Sequence, residues 1–176
     1  VRRRSPGLSM QDVKGWTVEQ LVYVSRSVRG VNSAIGMSDI LAEARPNNAR
    51  DGITGCLTAI DGRFVQVVEG QADKLDDLIN RLVRDERHTE LRVLERRTVS
   101  ERAFPQWDML SPVLVTAEID DLRSLLRDDS GGRLDDFIGP LQTALARQSE
   151  VLHETRTLSE SHRPQASNDD EAERTA

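Results

Sequence analysis

The sequence predicts an α+β fold, with two helices lying on one face of an antiparallel sheet. Three observations predict it. LVYVS at 21–25 is apolar and rich in β-branched residues, and two further apolar runs flank the dipeptide Asp61-Gly62. Leu75, Leu78, Ile79, Leu82 and Val83 recur at helical spacing, which makes one helix face apolar.

Each element follows in order. QLVYVSRS at 20–27 reads as a strand. Ser33 to Asn48 carries Ile35, Met37, Ile40, Leu41 and Ala44 at near-helical spacing, with Ser38 and Asp39 as early-turn or capping residues. Pro46 should end or bend that helix, leaving Asn48 in the loop that follows. ITGCLTAIDGRFVQVVEG at 53–70 reads as a hairpin, because Asp-Gly suits a tight two-residue turn. The Leu75–Val83 helix should close at RDERH, where Arg87 and His88 would meet the negative end of its dipole. For His88 a place in a cofactor pocket is an equal alternative. Leu91–Val99 is a more polar strand suited to an edge, and Trp107–Leu114 reads as a last short one. The order is βαββαββ, a sandwich of the ferredoxin-like kind.

Beyond residue 116 the pattern changes. Ile119, Leu122, Leu125 and Leu126 mark a short amphipathic helix, and Gly131-Gly132 breaks it. Leu134, Phe137, Ile138, Leu141, Leu145 and Leu152 mark a second. Two apolar helix faces must cover something, either the bare face of the sheet or another subunit. From Thr155 onward large apolar residues nearly vanish, which predicts disorder. The expected organisation is an N-terminal extension at 1–19, a ligand-binding domain at 20–114, capping helices at 115–154 and a tail at 155–176.

Composition removes several function classes. The chain has 176 residues, 37% of them hydrophobic and 31% charged, enough for one domain with a modest core and solvated flanks. The net charge of −6 argues against a direct nucleic-acid surface, which needs concentrated Lys and Arg. No apolar run approaches the roughly 20 residues of a membrane span, and the basic start VRRRSPG has no apolar segment behind it. A cytoplasmic location is the expectation. Cys56 is the single cysteine and lies in an apolar strand, so it reads as a small buried side chain. GxGxxG, GxxxxGK[ST] and HExxH are all absent, and the three histidines are scattered, so no metal is expected. Asp76-Asp77 and Asp120-Asp121 sit on polar helix faces, where solvation accounts for them.

Tyr23, Asn48 and Gln66 stand apart as uncharged hydrogen-bonding side chains in apolar surroundings. Buried without partners, each would cost about 1–3 kcal/mol. An amide offers both donor and acceptor, so Asn48 suits the N–H and carbonyl edge of a planar heterocycle such as a flavin. Gln66 shares a strand face with Phe64 and Val68, and Tyr23 lies beside Leu21 and Ser25. Each also has a plain structural reading: a cap or turn for Asn48, a backbone partner for Gln66, core for Tyr23.

The stretches LVYVSRS, SDILAEARPNNARDGITGCL, RFVQVVEG, LINRLVRDERH and FPQWDML together closely resemble the BLUF domains, blue-light sensors that use flavin. The resemblance covers roughly residues 20–114, with the motifs in the family's order and near its spacing. It implies a ferredoxin-like fold with the flavin ring between the two helices, usually as part of FAD, with FMN as the other form. It implies that Tyr23 is the light-dependent electron donor, Gln66 the amide that changes its hydrogen bonds, and Asn48 the anchor of the ring edge. Asn47 and Arg81 match further flavin contacts, Ile40 and Leu82 the aliphatic residues that sandwich the ring, and Trp107 and Met109 the mobile pair through which signal leaves. The loop after Tyr23 looks one residue longer than usual, Pro46 precedes the Asn pair, and CLTAI stands where an aromatic is common; none of these touches Tyr23, Asn48 or Gln66. No output domain follows, so the resemblance is to short members that signal to a separate protein partner, with a homo-oligomer also expected. Two rivals remain: a flavin-dependent oxidoreductase, and an interaction module of the same fold without cofactor.

Overall fold

The computed structural model describes residues 17–28, 34–105, 109–127 and 132–161. Within them lie β1 (Val18–Ser27), α1 (Ala34–Asp51), β2 (Thr54–Ile60), β3 (Arg63–Gly70), α2 (Ala72–Arg84), β4 (His88–Val99), α3 (Thr116–Arg127) and α4 (Leu134–Ser161). The strands form one antiparallel sheet in the order β2-β3-β1-β4.

Alternation along the strands sorts side chains onto two faces, and each face has its own core. Leu21, Tyr23, Leu57, Phe64 and Val68 pack with Leu41 of α1 and with Leu75 and Leu78 of α2. Val22, Val24, Cys56, Val65 and Val67 point the other way and pack with Leu122 of α3 and with Leu134, Phe137, Ile138 and Leu141 of α4. The C-terminal helices therefore cover the face that α1 and α2 leave bare. Arg147 of α4 pairs with buried Glu118 of α3 at 2.7 Å, which ties the two helices together.

The Asp61-Gly62 hairpin forms as its sequence predicts. Both residues have positive φ, 50° and 75°, as a two-residue turn of the primed type requires. Gly55 has a different role: a Cβ there would stand 2.2 Å from the Val67 carbonyl oxygen, so only glycine lets β2 approach β3 so closely.

Four boundaries differ from the sequence reading. The first is at Pro46, where α1 continues to Asp51, so Asn48 lies inside the helix and Ser38 and Asp39 lie beyond its first turn. The Asn47 side chain donates to the Glu43 carbonyl at 3.0 Å across this stretch, and burial of Asn48 against the sheet holds the turn. Second, β4 begins at His88, which pairs with Ser27 of β1 and is a strand residue, contrary to a helix-end role. Cross-strand pairing outweighs the polar helix-end composition of RDERH. Third, among the described residues the expected strand at 107–114 is reduced to one parallel bridge, Cys56 to Leu110. Last, α4 runs to Ser161, past the expected order limit at residue 155; the rest of that tail lies outside the described residues, as do Trp107 and the N-terminal residues 1–16.

No helix among the described residues is long and apolar enough to cross a membrane.

Candidate functional site

Register builds the site. Tyr23 of β1 and Gln66 of β3 are direct cross-strand partners, with Leu57 of β2 on the far side of Gln66. A one-residue slip would send both polar side chains to the opposite face, so the apolar alternation that fixes register also fixes their meeting. The Tyr23 hydroxyl donates to Gln66 Oε1. Gln66 Nε2 donates in turn to Met109 Sδ at 3.1 Å. Tyr23 is fully buried, Gln66 is 5% exposed and Met109 2%. Burial, and then the negative charge of Asp85, push the Tyr23 phenol well above its ordinary range, so it keeps its proton and acts as donor.

A cleft of about 660 Å³, including the part open to solvent, opens above this pair between α1 and α2. Tyr23, Ile40, Asn47, Asn48, Gln66, Arg81, Leu82 and His88 all line it, with Glu43, Ala44, Leu57, Leu78, Asp85 and Arg87. These side chains singled out in the sequence thus meet at one place, while Trp107 lies outside the described residues. Met109 stands behind Gln66 rather than on the cleft wall.

The floor and the mouth differ in chemistry. The floor holds the amides of Asn48, 1% exposed, and Gln66, between the aliphatic Ile40 and Leu82. The mouth is charged: Arg87 pairs with Asp85 at 2.6 Å and with Glu43 at 2.7 Å, and Arg81 with Asp51 at 3.0 Å. Sequence reasoning missed the Glu43–Arg87 pairing, since these residues are far apart in sequence and meet only once α1 and the loop between α2 and β4 are side by side. At one end His88 Nδ1 lies 2.9 Å from Ser25 Oγ, and its ring tilts against Phe64 with centroids 4.7 Å apart.

Burial lowers the His88 pKa; Asp85 opposes this and Arg87 adds to it. The folded chain therefore holds His88 neutral in conditions where the unfolded chain would protonate it. Stability should be full above the ordinary value of about 6.5 and decline as pH falls below it toward the folded value. Denaturation midpoints measured from about pH 7.5 to 5.5 should fall for the parent protein and stay nearly level for His88→Gln. The carboxylates held low by arginines, such as Asp51 and Asp85, titrate in a lower window and leave this one clear.

A wider cleft of about 1,480 Å³, solvent-open part included, lies between the hairpin end of the sheet and α3. It presents arginines, of which Arg123 is committed to Asp61 at 2.7 Å and Arg63 to the Leu126 carbonyl at 3.1 Å. Nothing in it corresponds to the buried amide pair.

The lining of the smaller cleft suits the chemistry of a planar ring with an imide edge: apolar side chains for its faces, and buried amides that can both donate and accept for its rim. The family model "BLUF: Sensors of blue-light using FAD" matches residues 18–110. The chain belongs to the BLUF family. Its fold is the ferredoxin-like BLUF fold, and its family is one of flavin-binding blue-light sensors. Photoactivated adenylate cyclase subunit beta of Euglena gracilis is 33% identical over 106 residues, covering 60% of this chain and 12% of the relative. The chain thus spans about an eighth of the length of that curated relative. The dark-state structure of BlrB, a BLUF protein, superposes with a TM-score of 0.55 at 28% identity, covering 76% of this chain and 98% of that one. Klebsiella pneumoniae BlrP1, determined with FMN and cyclic diGMP, gives 0.53 at 26% identity over 69% of this chain and 34% of its own. Cys56, buried with its thiol pushed up to about 12, lies on the opposite face of the sheet from the BLUF cleft.

Proposed function

We propose that this BLUF chain is a blue-light photoreceptor that holds FAD non-covalently between α1 and α2 and signals by turning the Gln66 amide. The observation that carries the reading is the hydrogen-bond chain from Tyr23 through Gln66 to Met109. Bound flavin supplies the blue absorption and, once excited, a strong oxidant. Tyr23, whose hydroxyl donates to Gln66 Oε1, would be the residue beside the ring able to give up an electron and its phenolic proton and to take both back. Gln66 would bridge the phenolic proton toward the ring and be left with its amide reversed, an arrangement that should shift the flavin absorption slightly to the red. In that arrangement Nε2 faces the phenol oxygen and Oε1 faces Met109 Sδ. A carbonyl oxygen and a thioether sulfur are both acceptors, so their contact loses its proton and Met109 must give way. Arginine 81 and Asn47 at the mouth hold the ligand's polar part, and Asn48 its ring edge.

The family description favours FAD. FMN, named with BlrP1, carries the same ring and would be read alike by the floor amides. We read the chain as a switch rather than an enzyme, and among the described residues lining the cleft the acid–base groups are engaged with protein partners: Asp85 and Glu43 with Arg87, and His88 with Ser25. We further assign the domain to residues 20–114, the cap to 115–154, and the output to a separate cytoplasmic protein partner, with the chain as a homo-oligomer.

The protein should purify yellow. Asn48→Ala should weaken FAD retention by about 1–3 kcal/mol, roughly a factor of 5 to 150 in Kd, through the unpaired groups it leaves. Unchanged affinity in a fluorescence titration would reduce Asn48 to a structural residue, and a colourless protein that takes up no added FAD would favour the cofactor-free module. Nicotinamide-driven turnover would favour the oxidoreductase.

A further inference from the structure

Glu69 is fully buried, three residues beyond Gln66 on β3, and faces the α3/α4 side while Gln66 faces the cleft. Its carboxylate is saturated. Oε1 accepts from Gln20 Nε2 at 2.5 Å and from the Ala103 amide at 2.6 Å; Oε2 accepts from the Phe104 amide at 2.9 Å and from Thr54 Oγ1 at 3.4 Å. Arg102 braces the same spot, donating to the Glu69 carbonyl at 2.9 Å, to Thr54 Oγ1 at 2.8 Å and to the Gly52 carbonyl at 2.9 Å.

The chain held here is the one that carries Met109. Phe104 is buried in the α3/α4 core and Met109 in the α1/α2 core, so these two residues, close in sequence, lie on opposite faces of the sheet. Two backbone bonds fix the segment's far end, Leu57 N to the Leu110 carbonyl at 2.7 Å and Leu110 N to the Gly55 carbonyl at 3.0 Å. Its near end is fixed by Glu69. The same carboxylate also reaches α4: Gln20 accepts from Arg97 at 2.9 Å, Arg97 pairs with Asp135, and Gln142 of α4 donates to the Ala103 carbonyl at 3.1 Å.

We propose that Glu69 is a positioning residue for the switch: by clamping the Ala103 and Phe104 amides on the output face, it sets where Met109 meets Gln66 on the flavin face, and it joins that segment to α4. The proposal rests on the reading of Gln66 as the moving amide. Only a carboxylate can accept from all four donors. An isosteric amide would have one oxygen, and its NH₂ would oppose the backbone N–H of either Ala103 or Phe104, which can only donate. The Gln66 amide needs room from Met109 to turn back, so a looser segment lowers the barrier between the two arrangements and the return to the dark state should be faster.

The test is the dark-recovery rate at matched flavin occupancy. Glu69→Gln should speed recovery at least threefold in the parent background, and much less in Met109→Leu, because the clamp acts through Met109. A residue with a purely structural role would give equal factors in both backgrounds. Equal factors, or an unchanged rate, overturn the proposal. Where Glu69→Gln does not hold flavin, Arg102→Gln, which keeps the carboxylate and removes only its brace, should give the same background-dependent acceleration; failure to do so also overturns it. Gln66→Leu is the separate control. If that variant keeps the parent's red shift, the switch reading itself fails, whereas a silent Gln66→Leu beside an additive Glu69→Gln sinks the clamp alone.

Discussion

Tyr23→Phe and Gln66→Leu should each abolish the reversible red shift of the flavin band while leaving flavin bound. Phenylalanine keeps the ring volume in the β1 core but removes the hydroxyl that donates to Gln66 Oε1, and with it the transferable proton. Leucine keeps the bulk at 66 but removes the amide that bridges Tyr23 and Met109. Binding should survive both, because Asn48, Ile40 and Leu82 line the cleft independently of that bridge. The two failures differ in kind: the first lacks a donor, the second a group that can turn. Light-minus-dark absorption at matched occupancy reads both, and a full parental shift in both variants would refute the assignment of Tyr23 and Gln66.

Truncation after Pro112 should be the most damaging change to the molecule as a whole. It removes Leu122, Leu134, Phe137, Ile138 and Leu141 from the sheet and exposes Val22, Val24, Val65 and Val67. Burial of a large aliphatic or aromatic side chain contributes about 1.5–3 kcal/mol, so the removed helices account for on the order of 10 kcal/mol as an upper estimate. That is comparable to the entire stability of a domain, about 5–15 kcal/mol. Aggregation or a changed oligomer is the expected result in size-exclusion chromatography with light scattering. A truncated chain that stays soluble, with the parent's oligomeric state and partner binding, would refute α3 and α4 as both cover and relay.

Much of this was legible in the sequence, for physical reasons that differ by element. Period-2 alternation in β1 and β3 and the 3.6-residue period of α2 are imposed by one-sided burial, and they place Tyr23, Gln66 and Leu82 on the correct faces. The hairpin was legible because two successive positive φ values strongly favour residues such as Asp-Gly. The end of α1 was not: proline carries a strong local signal, and only tertiary burial of Asn48 reveals why the helix continues past it. The strand position of His88 was not legible for a related reason, since pairing with Ser27 and contact with Phe64 are non-local. The arginine pairings at the cleft mouth and the four donors on Glu69 lie still further from any local pattern. Glu69 sits in an apolar strand beside Gly70 and looks like a strand-end charge until the chain near Ala103 folds back on it.

The central claim is that the Gln66 amide itself reorganises between Tyr23 and Met109. Light-minus-dark infrared spectroscopy on protein with 13C-labelled glutamine side chains tests it most directly. The expected result is an isotope-sensitive shift of a glutamine carbonyl band that forms on illumination, decays with dark recovery and is absent from Gln66→Leu. A flavin red shift of normal size with no isotope-sensitive glutamine band, or with one that persists in Gln66→Leu, would contradict the account.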